Sequence, residues 1–551
     1  MSELSHGNIG KREQSFTSLL PLRANNYNPH HLAALAAVMK GDVDTVKDGP
    51  DPEENILVPA GYTYFGQFID HDLTFDSTSS LDLTSGSQPS NLRTPRFDLD
   101  CLYGDGPDAQ PFLYDGAKLL FKNGPKLPGA TDFAEKDLLR NPLGRAIIGD
   151  KRNDENSIVS QIQLSFVKYH NAVVDALLKM PNPSKWNTPN NLFVSARNEV
   201  RWTYQKLVVE DFLPRIVHKA VLENLKVKDT ALRAKNYALY TEDKRANLPR
   251  EFVAAAYRFG HSGVRTGYRM NKGLDNRFDI FPASDDGTKL AGSKSLLGFD
   301  PITNNQVIDN WERFFPTSLP LATVNEARKK PAGKTKHPDV RLQFAYKIDP
   351  TLVDPLGALP VKQIAGEDTT AQATAAIAPD KLPSTTGTPT RPSLALLNLL
   401  RGDSYRIQSG QEVARVLQDK GLPCKPLEHK YLCTRQAVKE KSGFFKFEKI
   451  PLALLKDTPL WFYVLAEAQA PLVDEFGDKE FDETKLLEGI GAKTQLGWVG
   501  GRIVAEVFYG LLDSDDESYV RAAPKGWSPM LGGDEKVIFR NLLKFADSSN
   551  S

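Results

Sequence analysis

Cysteine is scarce, with three residues in 551. Three thiols cannot build a disulfide framework, and no Cys-x-x-Cys pair is present to suggest a zinc site. Cys424 and Cys433 could pair, but free thiols in a reducing compartment are the simpler expectation. Net charge is also lacking. The 69 basic and 69 acidic side chains cancel, which removes the electrostatic reason to expect nucleic acid or an anionic membrane as a partner. No window approaches the roughly 18 uninterrupted apolar residues of a spanning helix. The N-terminus has no basic head followed by an apolar stretch and a small-residue cleavage site. The expectation is a soluble chain, cytoplasmic or exported without a conventional signal. There is no Walker loop, GxGxxG, HExxH or GxSxG. The acidic run 513–517 lacks the glycine and terminal glutamate of an EF-hand.

What is present is an ordinary globular composition, 40% hydrophobic with 39 glycines besides. Apolar residues recur at three- and four-residue steps, predicting helices over 30–39, 62–74, 156–178, 198–213, 250–265, 393–401, 410–419, 460–467 and 500–512. Alternation of period two is rare. The fold class expected is mainly α, a large irregular helical fold with few short strands. Residues 1–60 read as an arm packed on a body spanning 61–546. The Ala-, Thr- and Pro-rich stretch 366–392 reads as a flexible surface loop.

Four segments carry chemistry. In Gly66-Gln67-Phe68-Ile69-Asp70-His71-Asp72, Gln67 and His71 are four apart and share a helix face. A histidine between two aspartates in an apolar helix is costly to bury without a purpose, although a polar cluster at a helix end would account for the same residues. Arg152-Asn153-Asp154-Glu155 precedes the longest predicted helix, where a cap with a surface ion pair is the plainer explanation. Tyr257-Arg258-Phe259-Gly260-His261 puts a histidine in an apolar helix, either as a satisfied core residue or as a ligand. Gly260 beside it would let something large and flat approach. Asn398, alone among leucines in 396–400, needs a buried partner, and a histidine N–H that needs orienting is one.

Together and in this order the segments FGQFIDHDLTFD, GDKRNDENSIVSQIQLSFVKYHNAV, EFVAAAYRFGHSGVR and LNLLRG resemble the animal-type haem peroxidases of the peroxidase–cyclooxygenase superfamily, most closely their bacterial members. Weaker likenesses extend the match from about Tyr62 to about Tyr519. The resemblance implies a single haem peroxidase domain. It implies haem b, with His261 as the axial iron ligand and Asn398 accepting from its other ring nitrogen. His71 would be the distal acid/base, Arg152 the stabiliser of developing charge, and Gln67 a residue shaping the distal pocket. Asp70 and Glu155 match positions that form ester links to the haem. Asn156 stands where some mammalian members carry a methionine, which puts chloride oxidation in doubt. Arg258 and Arg401 match positions near the propionates.

A calcium site is implied at Asp72, Thr94, Asp98, Asp100 and the carbonyl of Arg96; a solvated acidic turn would also explain these residues. The substrates implied are hydrogen peroxide and a small reductant: a phenol, bromide, iodide or thiocyanate. Two alternatives stand beside this. One is a fatty-acid dioxygenase of the same superfamily, whose radical-forming tyrosine lies three residues before the proximal histidine, where this chain has Arg258. The other is an adhesion protein on a peroxidase frame, suggested by the triplet Arg401-Gly402-Asp403.

Overall fold

The computed structural model describes residues 14–41, 51–75, 90–121, 137–181, 188–225, 233, 235–245, 247–272, 277–281, 295–316, 342–357, 359, 393–531 and 537–548. The loop expected at 366–392, and residues 1–13 and 42–50 of the expected arm, lie outside these.

Helix α1, Pro29–Val38, begins where the Asn28 side chain accepts from the His30 N–H at 2.9 Å. Strand β1, Glu54–Pro59, leads into α2, Gly61–Leu73. One face of α2 is fully buried through Phe65, Phe68, Ile69 and Leu73. Helix α3, Ser157–Leu178, starts at Asn156, whose side chain accepts from the N–H groups of Ile158 and Val159. Helix α4, Pro189–Leu207, begins earlier than the periodicity suggested. Thr188 caps it and Pro189 occupies its first turn, a start signal in which proline gives up no hydrogen bond. A π turn, Val208–Phe212, follows.

The helix predicted over 250–265 is broken. Helix α5 covers only Arg250–Ala254. Ala255 then departs to φ −139°, ψ −74°, and Ala256–His261 continue as a 3-10 turn. Strand β2, Phe344–Tyr346, pairs antiparallel with β1. Helices α6, Leu394–Ser404, and α7, Gly410–Asp419, are capped by Ser393 and Ser409. A small antiparallel sheet joins β3, Cys433–Ala437, to β4, Phe444–Lys449, and β4 to β5, Phe481–Asp482. Helix α8, Leu460–Phe476, crosses α9, Trp498–Ser514, so closely that a Cβ added to Gly500 would meet the Val464 Cβ at 2.9 Å. Helix α10, Phe539–Ser548, packs along α3.

The fold is thus mainly helical with few short strands. An aromatic cluster fixes α2 against its neighbours. Phe68 stacks on Phe166 of α3 at 4.9 Å and 3°, and Phe65 meets Phe539 of α10 at 4.7 Å. Geometry of this kind adds about 1 kcal/mol per pair beyond area burial. Cys101, Cys424 and Cys433 are all buried free thiols, so the 424–433 pairing does not form. Among the described residues no helix is long and apolar enough to cross a membrane.

Candidate active site

With its Phe65/Phe68 face committed to the core, α2 turns Gln67, Asp70 and His71 into a cavity of about 320 Å³. That lies within the roughly 300–1,000 Å³ of small-molecule pockets. The 3-10 turn Ala256–His261 forms another wall through Tyr257, Arg258, Phe259, Gly260 and His261. Glu155 and Asn156, at the start of α3, close a further side. The space beside His261 is open, since a Cβ added to Gly260 would meet nothing within 4 Å.

His71 is 4% exposed. Its Nδ1 lies 2.7 Å from Asn153 Oδ1, and Asn153 Nδ2 donates to Gln163 Oε1 at 2.9 Å. An amide oxygen only accepts, so Nδ1 carries the hydrogen and Nε2 is left as the base. Nε2 is 3.6 Å from Glu155 Oε1. Gln67 Nε2 also donates to that oxygen, and Gln67 Oε1 accepts from Asn156 Nδ2 at 3.1 Å. Burial and the nearby Arg152 charge lower the His71 pKa to about 4, with Asp150 and Asp70 opposing. Burial lifts Glu155 to about 7, with Arg152 opposing.

Arg152 is not among the residues that line the cavity. Its Nη2 donates to the carbonyls of His71, at 3.0 Å, and Thr74, and to Asp150 Oδ2 at 2.8 Å. The reason is local. The last carbonyls of α2 have no helical partner, and a cation satisfies them and the helix dipole together. Against the cost of burial, Arg152 and Arg93 hold the Asp150 carboxyl well below the usual range.

On the opposite wall, His261 Nδ1 lies 2.8 Å from Asn398 Nδ2 on α6, and Asn398 Oδ1 accepts from Arg258 Nη1 at 3.2 Å. In this orientation the asparagine donates to the histidine, the reverse of the expected direction. Turning the amide would let His261 donate to Oδ1 but set Nδ2 against the guanidinium. Iron ligation through Nε2 requires the turned amide, because a neutral imidazole whose Nδ1 accepts carries its hydrogen on Nε2. Burial, then Arg258 and Arg401, lower the His261 pKa to about 3. Trp461 Nε1 on α8 donates to Arg258 O at 3.1 Å, bracing the turn from behind.

A second cluster lies beside His71. Asp72, Asp98 and Asp100 each bring an oxygen within 4.8 Å of the others. Both Asp72 oxygens are buried without a hydrogen-bond partner. The Leu99 N–H and the Tyr204 hydroxyl favour the Asp72 anion, but neither closes a hydrogen bond with it. Burial, then the Asp98 and Asp100 charges, raise its pKa well above the usual range. The Thr94 hydroxyl donates to Asp98 Oδ2 at 2.5 Å. The Arg96 side chain is half exposed and points toward Asp515, 3.6 Å away.

The triplet Arg401-Gly402-Asp403 is helical, within α6. Gly402 is buried and the Asp403 carboxylate accepts from the Tyr27 N–H at 2.7 Å, so it does not form a presented loop. Sequence reasoning missed Asn153, Gln163 and Asp150, which hold His71 and Arg152. Asn153 sits inside a segment already singled out, and its buried amide was the available signal.

The model of the family described as animal haem peroxidase matches residues 82–283. A peroxidase-like protein of Margaritifera margaritifera is 25% identical, covering 37% of this chain and 31% of that relative. The match thus spans less than a third of that relative's length. Peroxidase A of Dictyostelium discoideum superposes with a TM-score of 0.50 at 13% identity, covering 92% of this chain and 88% of that one. A fatty acid alpha-dioxygenase of Oryza sativa gives 0.47 at 14% identity, covering 97% and 78%. Over residues 82–283, less than half of its length, the chain is thus similar to the animal haem peroxidase family. That family implies haem as the bound group.

Proposed function

We propose that this chain is a haem-dependent peroxidase that uses hydrogen peroxide to oxidise small donors. One observation carries the reading. Two histidines, His71 buried and His261 partly buried, line the same cavity from different elements, and each has its Nδ1 held by an asparagine, His71 by Asn153 and His261 by Asn398. His71 Nε2 is then free of hydrogen, and His261 Nε2 is free of it once the Asn398 amide is turned so that its oxygen accepts from Nδ1.

The residues fit a haem. His261 is the ligand candidate, the open space at Gly260 admits a flat group, and Arg258 and Arg401 lower the charge cost of propionates nearby. Bound haem would supply the redox chemistry, taking oxidising equivalents from peroxide and passing them to the donor. The protein moves the proton. His71 Nε2, free of hydrogen because Nδ1 donates to Asn153, accepts a proton from peroxide and returns it to the departing oxygen. Gln67 and Asn156 hold Glu155 Oε1 beside that nitrogen. Arg152 secures the end of α2 and keeps His71 unprotonated. Asp70 and Glu155 line the cavity as candidates for ester links.

Calcium is the cation that suits Asp72, Asp98, Asp100, the Thr94 hydroxyl and the Arg96 carbonyl. The unpartnered, buried Asp72 carboxylate supports that fit, and the ion would fasten this loop to α2 next to His71. The deciding assay compares peroxide-dependent oxidation of a phenol with oxygen uptake on linoleate. Peroxide-dependent turnover is expected, and a protein that ignores peroxide but consumes oxygen is a dioxygenase instead.

A further inference from the structure

The turn that carries His261 is weakly built. The break at Ala255 ends α5, and the 3-10 geometry of Ala256–His261 has poorer hydrogen bonds than an α-helix. Its position must come from outside ties. Two of these reach α2, one on each side of His261. Tyr257 Oη donates to Gly66 O at 3.0 Å, and Thr63 Oγ1 donates to Gly263 O at 3.4 Å. Thr63 and Gly66 are one turn apart on the same face of α2, the helix that bears His71.

The Tyr257 ring cannot yield. It stacks on Phe252 at 4.8 Å and 16°, and lies 5.4 Å from Phe508. The fit at the other ends is close as well. A Cβ added to Gly66 would meet Phe212 at 3.1 Å, and one added to Gly263 would meet Thr63 Oγ1 at 3.2 Å. A backbone carbonyl is a poor proton acceptor, so the Tyr257 hydroxyl is placed to hold and not to titrate.

We propose that Tyr257 is a positioning residue. With Thr63 it sets the separation between the wall carrying His261 and the helix carrying His71, and so the coordination state of a bound haem. This rests on reading the cavity as a haem site.

The test is Tyr257→Phe, which keeps the stacked ring and removes only the tie, with Thr63→Val as an independent second variant. Haem retention by the purified protein, the position and width of the Soret band, and kcat and KM for peroxide are measured beside the thermal midpoint. Y257F should retain haem about tenfold less tightly, the worth of one buried hydrogen bond. Its Soret band should shift or broaden, and kcat should fall more than KM rises. T63V should change the same quantities in the same direction by less. Wild-type spectrum, affinity and kcat in both variants, even with a lowered midpoint, would overturn the proposal alone. Folded wild-type protein that binds no haem would overturn the peroxidase reading and this proposal with it.

Discussion

His71 and Asn153 share a hydrogen bond of 2.7 Å that decides which ring nitrogen of the histidine is basic. Asn153 is itself fixed, because its Nδ2 is spent on Gln163. Replacing Asn153 with Leu removes the acceptor. The imidazole then loses its preferred tautomer and orientation. The expected result is a fall of about 10²-fold in kcat/KM for peroxide, the lower end of what positioned acid/base groups contribute, with haem content unchanged. Steady-state kinetics on haem-matched samples check this.

The low His71 pKa makes a pH prediction. A group held near 4 is unprotonated across pH 5–8, so the acid limb of the kcat/KM profile should fall near 4 and not near 6.5. Arg152 contributes to that lowering, so Arg152→Gln should move the limb upward. A limb unmoved in R152Q would remove the electrostatic part of the Arg152 assignment.

Glu155 makes the opposite kind of prediction, for haem-free protein. Its folded pKa is raised to about 7 from 4.5, so in that interval the folded state binds more protons than the unfolded one. Its contribution to stability therefore declines as pH rises from about 4.5 to about 7 and levels off above. Glu155→Gln should remove this slope. Denaturant midpoints of apo E155Q relative to apo wild type should rise through that window and then run parallel.

The Asp72 cluster predicts a metal effect. Chelation should lower the thermal midpoint of the wild type, and added calcium should restore it. In Asp72→Asn the chelator should do nothing. Without calcium, D72N should be at least as stable as the wild type, because it removes a buried charge that has no hydrogen-bond partner.

Much of the helical frame was readable because apolar spacing reports burial directly. Residues 410–419 form a helix with those bounds, and α2 differs by one residue at each end. The break at Ala255 was not readable. The residues on both sides of it are similarly apolar, so the spacing carries no mark of the interruption. The orientation of Arg152 was hidden for a related reason, since the carbonyls it satisfies belong to α2, some eighty positions earlier in the chain. The same holds for Asn398. Its place behind His261 follows from a leucine-rich helix with one amide, but the contact of that amide with Arg258 is something no spacing reveals. Asp72 shows the converse. Its acidic neighbours read equally well as a solvated turn, and the burial of its carboxylate without a hydrogen-bond partner is visible only in the structure.

The most direct measurement is the visible spectrum of the purified protein beside that of His261→Ala. The wild type should carry a Soret band that responds to peroxide, and the folded variant should lose it or show iron no longer held by the protein. Folded wild-type protein without haem, or an unchanged spectrum in H261A, would contradict the assignment of this cavity as a haem peroxidase site.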